Sequence, residues 1–308
     1  MTAALIGLDW GSTQLRAYRY GERGAVEAVR TLPCGVRQLP AGGFAQAFAQ
    51  ALEGWPAAPV IACGMVGSRN GWRETPYLDT PADLDRLAAA LTPLAAPDGR
   101  AVHLVPGLRD PARPDVMRGE ETQVAGALAL EPPMARRARL LLPGTHSKWV
   151  EVRDGAVVGF ATMMTGELYA LLRQHSILGA ALPAPVPDGD AFRRGVRAAR
   201  DSGAAGMLSR LFSARALLLD GALAPSSVAD YLSGLLLGEE LRAALAAGWA
   251  APGEPVLVVG DEALCERYLR AAEAFGIGLR RAPGDAAAHG LWRIAAAAAL
   301  VPGHATAA

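Results

Sequence analysis

A three-strand unit with a glycine-bearing first turn occurs twice in this 308-residue chain, and that repetition sharply limits the folds open to it. The first copy starts with the apolar run Ala4–Asp9, turns at Asp9-Trp10-Gly11-Ser12-Thr13, and continues through extended segments at Gln14–Tyr20 and Ala25–Arg30. The second, about 130 residues on, runs from Arg139–Leu142 through Pro143-Gly144-Thr145-His146-Ser147-Lys148 into strands at Trp149–Arg153 and Ala156–Ala161. Asp154-Gly155 is the expected hairpin turn between the last two. Each copy is followed by helical and strand patterns. Helices are expected at Phe44–Leu52, Ala82–Leu91 and Gly119–Leu130, then at Gly166–Leu178, Asp190–Ser202, Ala204–Leu219, Ser227–Ala247, Glu262–Phe275 and Ala286–Leu300. Further strands are expected at Pro59–Cys63, Ala101–Val105, Pro255–Val259 and Gly278–Arg281. The pattern predicts an α/β chain of two duplicated lobes, each a mixed sheet with helices, separated by a cleft. The first lobe is assigned to residues 1–125 and the second to 126–285, with a last helix in 286–308 packing back on the first.

Thirty basic residues balance thirty acidic ones, which removes the electrostatic case for a nucleic acid or an anionic membrane as partner. No stretch reads as a membrane span, and the N-terminus has no signal-like core, so the cytoplasm is the expected location. Cys34, Cys63 and Cys265 are scattered without CxxC spacing, against a disulfide frame or a zinc site. With 51% hydrophobic but only 6% aromatic residues, the core is expected to be aliphatic, with close helix contacts.

The chemistry is expected at the turns. Gly11 lets backbone approach a bulky anion, Ser12 and Thr13 supply donors, and Asp9 at the strand end suits Mg²⁺ held through water. A plain hairpin explains Asp-x-Gly-Ser-Thr equally well. The second turn again offers a glycine and hydroxyls, at Gly144, Thr145 and Ser147. Lys148 adds a charge there or is a solvated lysine, and His146 reads as a structural histidine. Glu120 and Glu121, in Arg118-Gly119-Glu120-Glu121-Thr122-Gln123, either complement a helix dipole or aim a general base from a helix N-terminus, with Glu121 slightly preferred. The glycine-rich loop after Cys63 carries Ser68, Arg69, Asn70 and Trp72. Arg69 can hold a carboxylate in a bidentate pair, the amide and hydroxyl can bind sugar oxygens, and Trp72 can wall the substrate pocket, whereas a solvated arginine and a packed indole are the plain alternatives.

These parts, in this order, resemble the superfamily of hexokinase, actin and Hsp70-type ATPases, whose ribonuclease H-like lobes carry two phosphate hairpins flanking a connecting helix. The nearer resemblance is to the 2-dehydro-3-deoxygalactonokinase family, carried by IGLDWGSTQLRAYRY (6–20), CGMVGSRNGWRETPYLDTP (63–81), MRGEETQ (117–123), LPGTHSKWVE (142–151) and MTGELYALL (164–172). The resemblance implies transfer of the ATP γ-phosphate to the terminal (6-) hydroxyl of 2-dehydro-3-deoxygalactonate, in galactose or galactonate catabolism. It implies ATP and Mg²⁺ as cofactors and a small sugar acid as the molecule bound. Asp9 then corresponds to the Mg²⁺-linked acid, and Gly11, Ser12, Thr13, Gly144 and Thr145 to the phosphate turns. Glu120 or Glu121 stands where sugar kinases usually have Asp. Gly260 marks the adenosine segment with one glycine where a pair is usual, and Glu167 caps a helix or touches substrate. The Gly-Glu-Glu string leaves an exopolyphosphatase-type hydrolase as an alternative, and a non-catalytic ATP-binding module of the actin or Hsp70 kind as a third reading. Oligomeric state, a homodimer included, and the gluconate versus galactonate stereochemistry stay open.

Overall fold

The structure, a computed structural model, describes residues 3–301. Of the expected closing segment 286–308, residues 302–308 therefore lie outside the described residues. In chain order the elements are β1 (Leu5–Trp10), β2 (Leu15–Tyr20), β3 (Val26–Leu32), α1 (Gly43–Leu52), β4 (Val60–Cys63), β5 (Tyr77–Asp79), α2 (Leu84–Ala89), β6 (Thr92–Ala95), β7 (Ala101–Leu104), β8 (Gly107–Asp110), β9 (Asp115–Met117) and α3 (Glu120–Leu130). There follow β10 (Arg137–Leu142), β11 (Ser147–Arg153), β12 (Ala156–Met163), α4 (Thr165–His175), α5 (Gly189–Arg200), α6 (Ser213–Leu219), α7 (Val228–Ala246), β13 (Pro255–Val258), α8 (Glu262–Ala272), β14 (Gly278–Arg281) and α9 (Ala286–Ala297). They form two compact units: Met1–Ala138 with Val152–Phe160 and Ala282–Ala308, and Arg139–Glu151 with Ala161–Arg281.

The sheet of the first unit runs β3-β2-β1-β4-β7-β6. Strand β1 is antiparallel to β2 and parallel to β4, which is parallel to β7. A strand between such neighbours is covered on both faces, and the near-continuous apolar run of β1 reflects that. Leu5, Ile6 and Leu8 are fully buried. One face packs against Phe48 and Leu52 of α1. The other meets α9, where the Tyr20 hydroxyl donates to the Ala288 carbonyl at 2.7 Å. Helices α3 and α9 cross at two glycines. A Cβ on Gly126 would lie 1.8 Å from the Ala286 carbonyl oxygen, and one on Gly290 1.9 Å from that of Thr122. Glycine at both positions is thus a requirement for helix contact at backbone distance.

A second sheet runs β12-β11-β10-β13-β14, with β10, β13 and β14 parallel. Its order repeats β3-β2-β1-β4-β7 element for element, so the duplication read from the turns is real at the level of topology. Asp154 and Gly155, between β11 and β12, both have positive φ (48° and 76°), as a type I′ hairpin turn requires. Leu141, Trp149, Val256, Val258 and Tyr268 build the core with Phe192 and Leu241. Helices α5 and α7 again cross at glycines: a Cβ on Gly195 or Gly234 would meet backbone of the other helix at 2.1 Å and 2.0 Å.

Three expectations needed correction. The helix expected over Ala204–Leu219 is two short 3₁₀ turns and the seven-residue α6, because Gly203 and Gly206 take positive φ. The helix expected over Ala82–Leu91 shortens to α2, whose start is fixed by the Asp83 carboxylate accepting from the Arg86 amide at 2.9 Å. A small sheet, β5-β8-β9, was not expected at all. Its strands are three or four residues long and carry charges, too short for an alternating pattern to register.

Candidate active site

The first turn joins β1 to β2 and is closed by the Gly11 amide donating to the Gln14 carbonyl at 2.9 Å. A second layer of chain holds it in place. The Trp10 indole N–H donates to the Cys34 carbonyl at 2.9 Å, and the amides of Val36 and Arg37 donate to the Gly11 and Ser12 carbonyls at 3.0 Å. Gly35 lies so close that a Cβ there would stand 2.2 Å from the Thr13 amide nitrogen. Gly11 is different. A Cβ on it would meet nothing nearer than the Gln14 carbonyl oxygen at 3.6 Å, and its φ is not positive. Neither packing nor backbone geometry demands glycine at position 11, and the bare face of the turn stays open to a ligand. Ser12 is partly exposed and Thr13 exposed.

Three segments meet where β1 ends. Asp9 pairs in register with Cys63 at the end of β4, and the Cys63 thiol points at Asp9 Oδ1 over 3.9 Å. Gly64 follows at φ +91°, its Cβ position 2.8 Å from the Trp10 carbonyl oxygen. Gly119, at φ +106°, places its own Cβ position 3.2 Å from Gly64 Cα. Side chains are excluded from both positions by sterics and by φ, which brings the N-terminus of α3 against the end of the sheet beside Asp9. Burial pushes the Asp9 carboxyl up to about 6, opposed by Arg16 and reinforced by the negative charge of Asp285 and Glu120. Arg16 and the Tyr18 hydroxyl also reach the Asp285 carboxylate, at 3.2 Å and 2.8 Å.

The two glutamates at this helix start differ. Glu121 is fully buried and folds back on its own helix end, accepting from the Gly119 amide at 2.7 Å and the Thr122 hydroxyl at 3.0 Å. Burial, and then the neighbouring Glu120, push it up to about 8, so it is mostly neutral at pH 7. Glu120 is partly exposed, accepts from the Arg118 amide at 3.0 Å, and raises both Asp9 and Glu121 by its charge. The slight sequence preference for Glu121 as the base is thus opposed by its burial, which favours Glu120.

The loop after β4 is a tight self-bonded knot. The amides of Gly71 and Trp72 donate to the carbonyls of Ser68 and Val66 at 2.8 Å and 2.9 Å. The Ser68 hydroxyl is buried and has no hydrogen-bond partner among the described residues, whereas Arg69 and Asn70 are exposed at the tip. Trp72 is a packing group: its ring stacks on Phe44 and meets Trp10 and Phe48 edge-on. Sequence reading passed over the loop's support. The Arg118 guanidinium is buried, donates to the Thr75 hydroxyl and, at 3.0 Å, to the Thr75 carbonyl, and lies over the Tyr77 ring at 4.3 Å. An arginine directly before the Gly-Glu-Glu string was its visible signal.

In the second unit the turn 143–146 lies between the start of α4 and the end of β13. A Cβ on Gly166 would lie 2.5 Å from the Gly144 carbonyl oxygen, and the Glu167 amide donates to the Thr145 carbonyl at 3.0 Å. Gly260 lies on the other side, its Cβ position 3.4 Å from the Pro143 carbonyl oxygen, and is itself exposed. Gly144 repeats the property of Gly11: the nearest atom to a Cβ there is 4.0 Å away and its φ is not positive. Thr145 is exposed. His146 has a satisfied ring, as expected of a structural histidine, but a half-exposed one, paired with the Glu167 carboxylate. Lys148 is no solvated surface lysine either; it is buried, with Nζ donating to the His146 carbonyl at 3.3 Å. The Ser147 hydroxyl is turned inward, donating to Glu240 at 2.8 Å, so its side chain faces the core and away from the turn's open face. Glu240 was missed, although two acids inside a leucine run (GLLLGEEL) are a visible anomaly.

A family model described as 2-keto-3-deoxy-galactonokinase matches residues 9–294. The 2-dehydro-3-deoxygalactonokinase of Escherichia coli (strain K12) is 37% identical over 291 residues, covering 93% of this chain and 95% of that protein. A crystal structure from Sinorhizobium meliloti, of a candidate 2-dehydro-3-deoxygalactonokinase, shares 38% identity and superposes with a TM-score of 0.84 over 95% of this chain and 98% of its own. The activator of 2-hydroxyisocaproyl-CoA dehydratase from Clostridium difficile, solved with bound ADPNP, has the same fold at 13% identity, with a TM-score of 0.53 over 95% of both chains. The α/β architecture with mixed sheets is that of the actin-like ATPases. Among the described residues no helix is long and apolar enough to cross a membrane.

Proposed function

The chain belongs to the 2-keto-3-deoxy-galactonokinase family, and on that premise we propose that it transfers the γ-phosphoryl group of ATP to the terminal (6-) hydroxyl of 2-dehydro-3-deoxygalactonate. The observation that carries the reading is the convergence of Asp9, Gly64 and Gly119 at one end of the first sheet. It gathers a phosphate-type turn, a loop with an exposed arginine and amide, and a helix N-terminus bearing a carboxylate. Phosphoryl transfer needs little covalent chemistry from protein, only positioning, charge stabilisation and removal of one proton.

Glu120 takes the proton of the attacking hydroxyl. It is partly exposed at a helix start, whereas Glu121 is sealed into the fold and keeps Gly119 and Thr122 in place. Arg69 pairs with the sugar-acid carboxylate, and Asn70 and the unpartnered Ser68 hydroxyl bind oxygens of the chain. Open faces at Gly11 and Gly144 let turn amides approach the phosphates, with Ser12, Thr13 and Thr145 as hydroxyl donors. Gly260, exposed beside the second turn, borders the nucleoside. Lys148 sets the His146 backbone and adds positive charge beneath this turn. Glu167, bonded through its amide to Thr145 and through its carboxylate to His146, fixes the turn against α4.

Mg²⁺ fits the residues present. The ion takes one or two carboxylates and otherwise keeps water and substrate phosphate. Asp9 is a single, partly exposed carboxylate in a surplus of negative charge from Asp285 and Glu120 that Arg16 only partly offsets. Among the described residues no group of three His, Cys, Asp or Glu side chains forms a closed cage. Bound there with the nucleotide, Mg²⁺ would neutralise charge on the transferring phosphoryl group.

The kinase reading is favoured over a polyphosphate hydrolase or a non-catalytic ATP-binding module, because the relatives that match over most of the chain are named kinases. Measuring ADP release with and without 2-dehydro-3-deoxygalactonate tests it. Release should require the sugar acid and yield its 6-phosphate one for one; ADP release independent of any sugar acid would overturn the reading. The gluconate epimer in the same assay settles which stereochemistry the site accepts.

A further inference from the structure

Glu240 accepts four side-chain hydrogen bonds, and it lies in none of the turns. It sits in the middle of α7 and is 3% exposed. Oε2 accepts from the Ser147 hydroxyl at 2.8 Å, from the Tyr268 hydroxyl at 2.7 Å and from the Thr165 hydroxyl. Oε1 accepts from the Trp149 indole N–H at 2.9 Å. A carboxylate is an acceptor at both oxygens, so only the ionised form takes all four donors at once. A buried charge is retained at a cost unless such bonds satisfy it. Here the cost is met by donors from three separate elements, which identifies what the charge does. Ser147 is the first residue after the turn 143–146. Thr165 opens α4, whose second residue, Gly166, lies against Gly144. Tyr268 lies in α8, the helix that follows Gly260.

We propose that Glu240 is the positioning residue of the nucleotide-phosphate turn: from beneath, it locks the turn, the start of α4 and α8 into the one arrangement that presents the Gly144 and Thr145 amides to a phosphate. The proposal rests on the reading of turn 143–146 as a phosphate site. Hydrogen-bond donors stabilise developing charge only when they are held without reorganisation, and the bonds that hold this turn come from the residues around it. The turn touches α4 through Gly166 and the Glu167 amide, contacts whose geometry depends on where α4 begins. The hydroxyl of Thr165 on Glu240 fixes that origin. Burial raises the Glu240 carboxyl above its ordinary value, and the four donors oppose that rise.

Glu240→Gln keeps shape but turns an amide NH₂ toward hydroxyls that now donate. It should raise KM for ATP about tenfold, equivalent to about 1.4 kcal/mol, with KM for the sugar acid within about twofold of wild type. Binding of ATP should weaken by the same factor and binding of adenosine should not, because only the phosphates see the turn. Tyr268→Phe and Thr165→Val, each removing one donor without changing volume much, should move KM for ATP the same way by about threefold, and they serve as the test if the glutamine variant does not fold. A folded Glu240→Gln enzyme with unchanged ATP parameters overturns the proposal. So does a loss shared equally by both substrates, or a lowered Tm with no change in KM for ATP, since a purely structural carboxylate would produce those. Gly144→Ala, measured alongside, separates the two ideas. If it raises KM for ATP and Glu240→Gln does not, the turn binds phosphate and Glu240 does not position it. If it leaves KM for ATP unchanged, the phosphate reading of the turn itself fails.

Discussion

The two glycine turns are copies in topology and opposites in chemistry. The first has a carboxylate, Asp9, one residue before its strand ends; its only side-chain partner within hydrogen-bonding range among the described residues is a thiol at 3.9 Å, and burial and like charges push it up to about 6. The second ends its strand in Leu142-Pro143, and the buried acid nearest in role, Glu240, is one helix removed and satisfied by four donors. One site leaves charge unbalanced and the other balances it. Unbalanced, partly exposed charge is where a cation and a reacting group are useful, while a fully satisfied network makes a rigid grip. On the proposed reading, the acids placed around two topologically equal turns divide the labour between reaction and holding.

The contrast breaks most easily at Asp9. Asp9→Ala should reduce kcat by about a thousandfold or more, the scale of losing a preorganised charge partner, with the fold intact. Near-normal turnover would remove Asp9 from the mechanism. In the wild-type enzyme, kcat/KM should fall as pH drops through about 6, because protonation of Asp9 removes its charge. Glu120→Gln should lose about a hundredfold or more in kcat, as removal of a general base does. If Glu121→Gln loses more than Glu120→Gln, the assignment of the base is reversed.

Glu121 sharpens the same contrast through stability. Its folded pKa of about 8 lies above its ordinary 4.5, so between these values the folded state holds a proton that the unfolded chain has released. Stability should fall as pH rises across that window, and Glu121→Gln should remove that part of the slope, being more stable than wild type by an amount on the order of a few kcal/mol at pH 8. Urea denaturation at pH 5 and pH 8 reads the difference. Arg69→Ala is a smaller change. Loss of a charge-assisted pair should raise KM for the sugar acid by about tenfold to a hundredfold at nearly constant kcat, and an unchanged KM would take Arg69 out of the pocket.

Most of the architecture was legible because it is written locally. Apolar runs ending in Gly-bearing turns located β1 and β10, and Asp154-Gly155 located the β11–β12 hairpin. The β5-β8-β9 sheet was hidden because three-residue strands carry no period. The helix expected at Ala204–Leu219 failed on two glycines whose positive φ outweighed an apolar pattern. In the site, charged residues beside glycines could be named as candidates, but their states could not. Burial separates Glu120 from its neighbour Glu121, turns Ser147 inward and seats Trp72 among Phe44, Phe48 and Trp10, and burial is a property of the whole unit. Glu240 and Arg118 act through residues far along the chain, at separations of 93 for Ser147 and 43 for Thr75, so the sequence around each shows the residue and not its partner.

The finest test of the contrast is a single methyl group on each turn. Most close-packed glycines here cannot accept a Cβ, as at Gly126, Gly166 and Gly290, but Gly11 and Gly144 can: the nearest atoms stand 3.6 Å and 4.0 Å away and neither φ is positive. Alanine at either position should leave Tm unchanged or slightly raised, since it restricts the unfolded chain without straining the folded one. A conserved fold with a changed enzyme would then isolate what each glycine does for the ligand. Gly144→Ala should raise KM for ATP by about threefold to tenfold with kcat nearly unchanged, the loss of roughly one neutral hydrogen bond to phosphate. Gly11→Ala, beside Asp9, should lower kcat instead. If both variants lose only ATP affinity, the two turns do the same work, and the division of labour drawn from their acids is wrong.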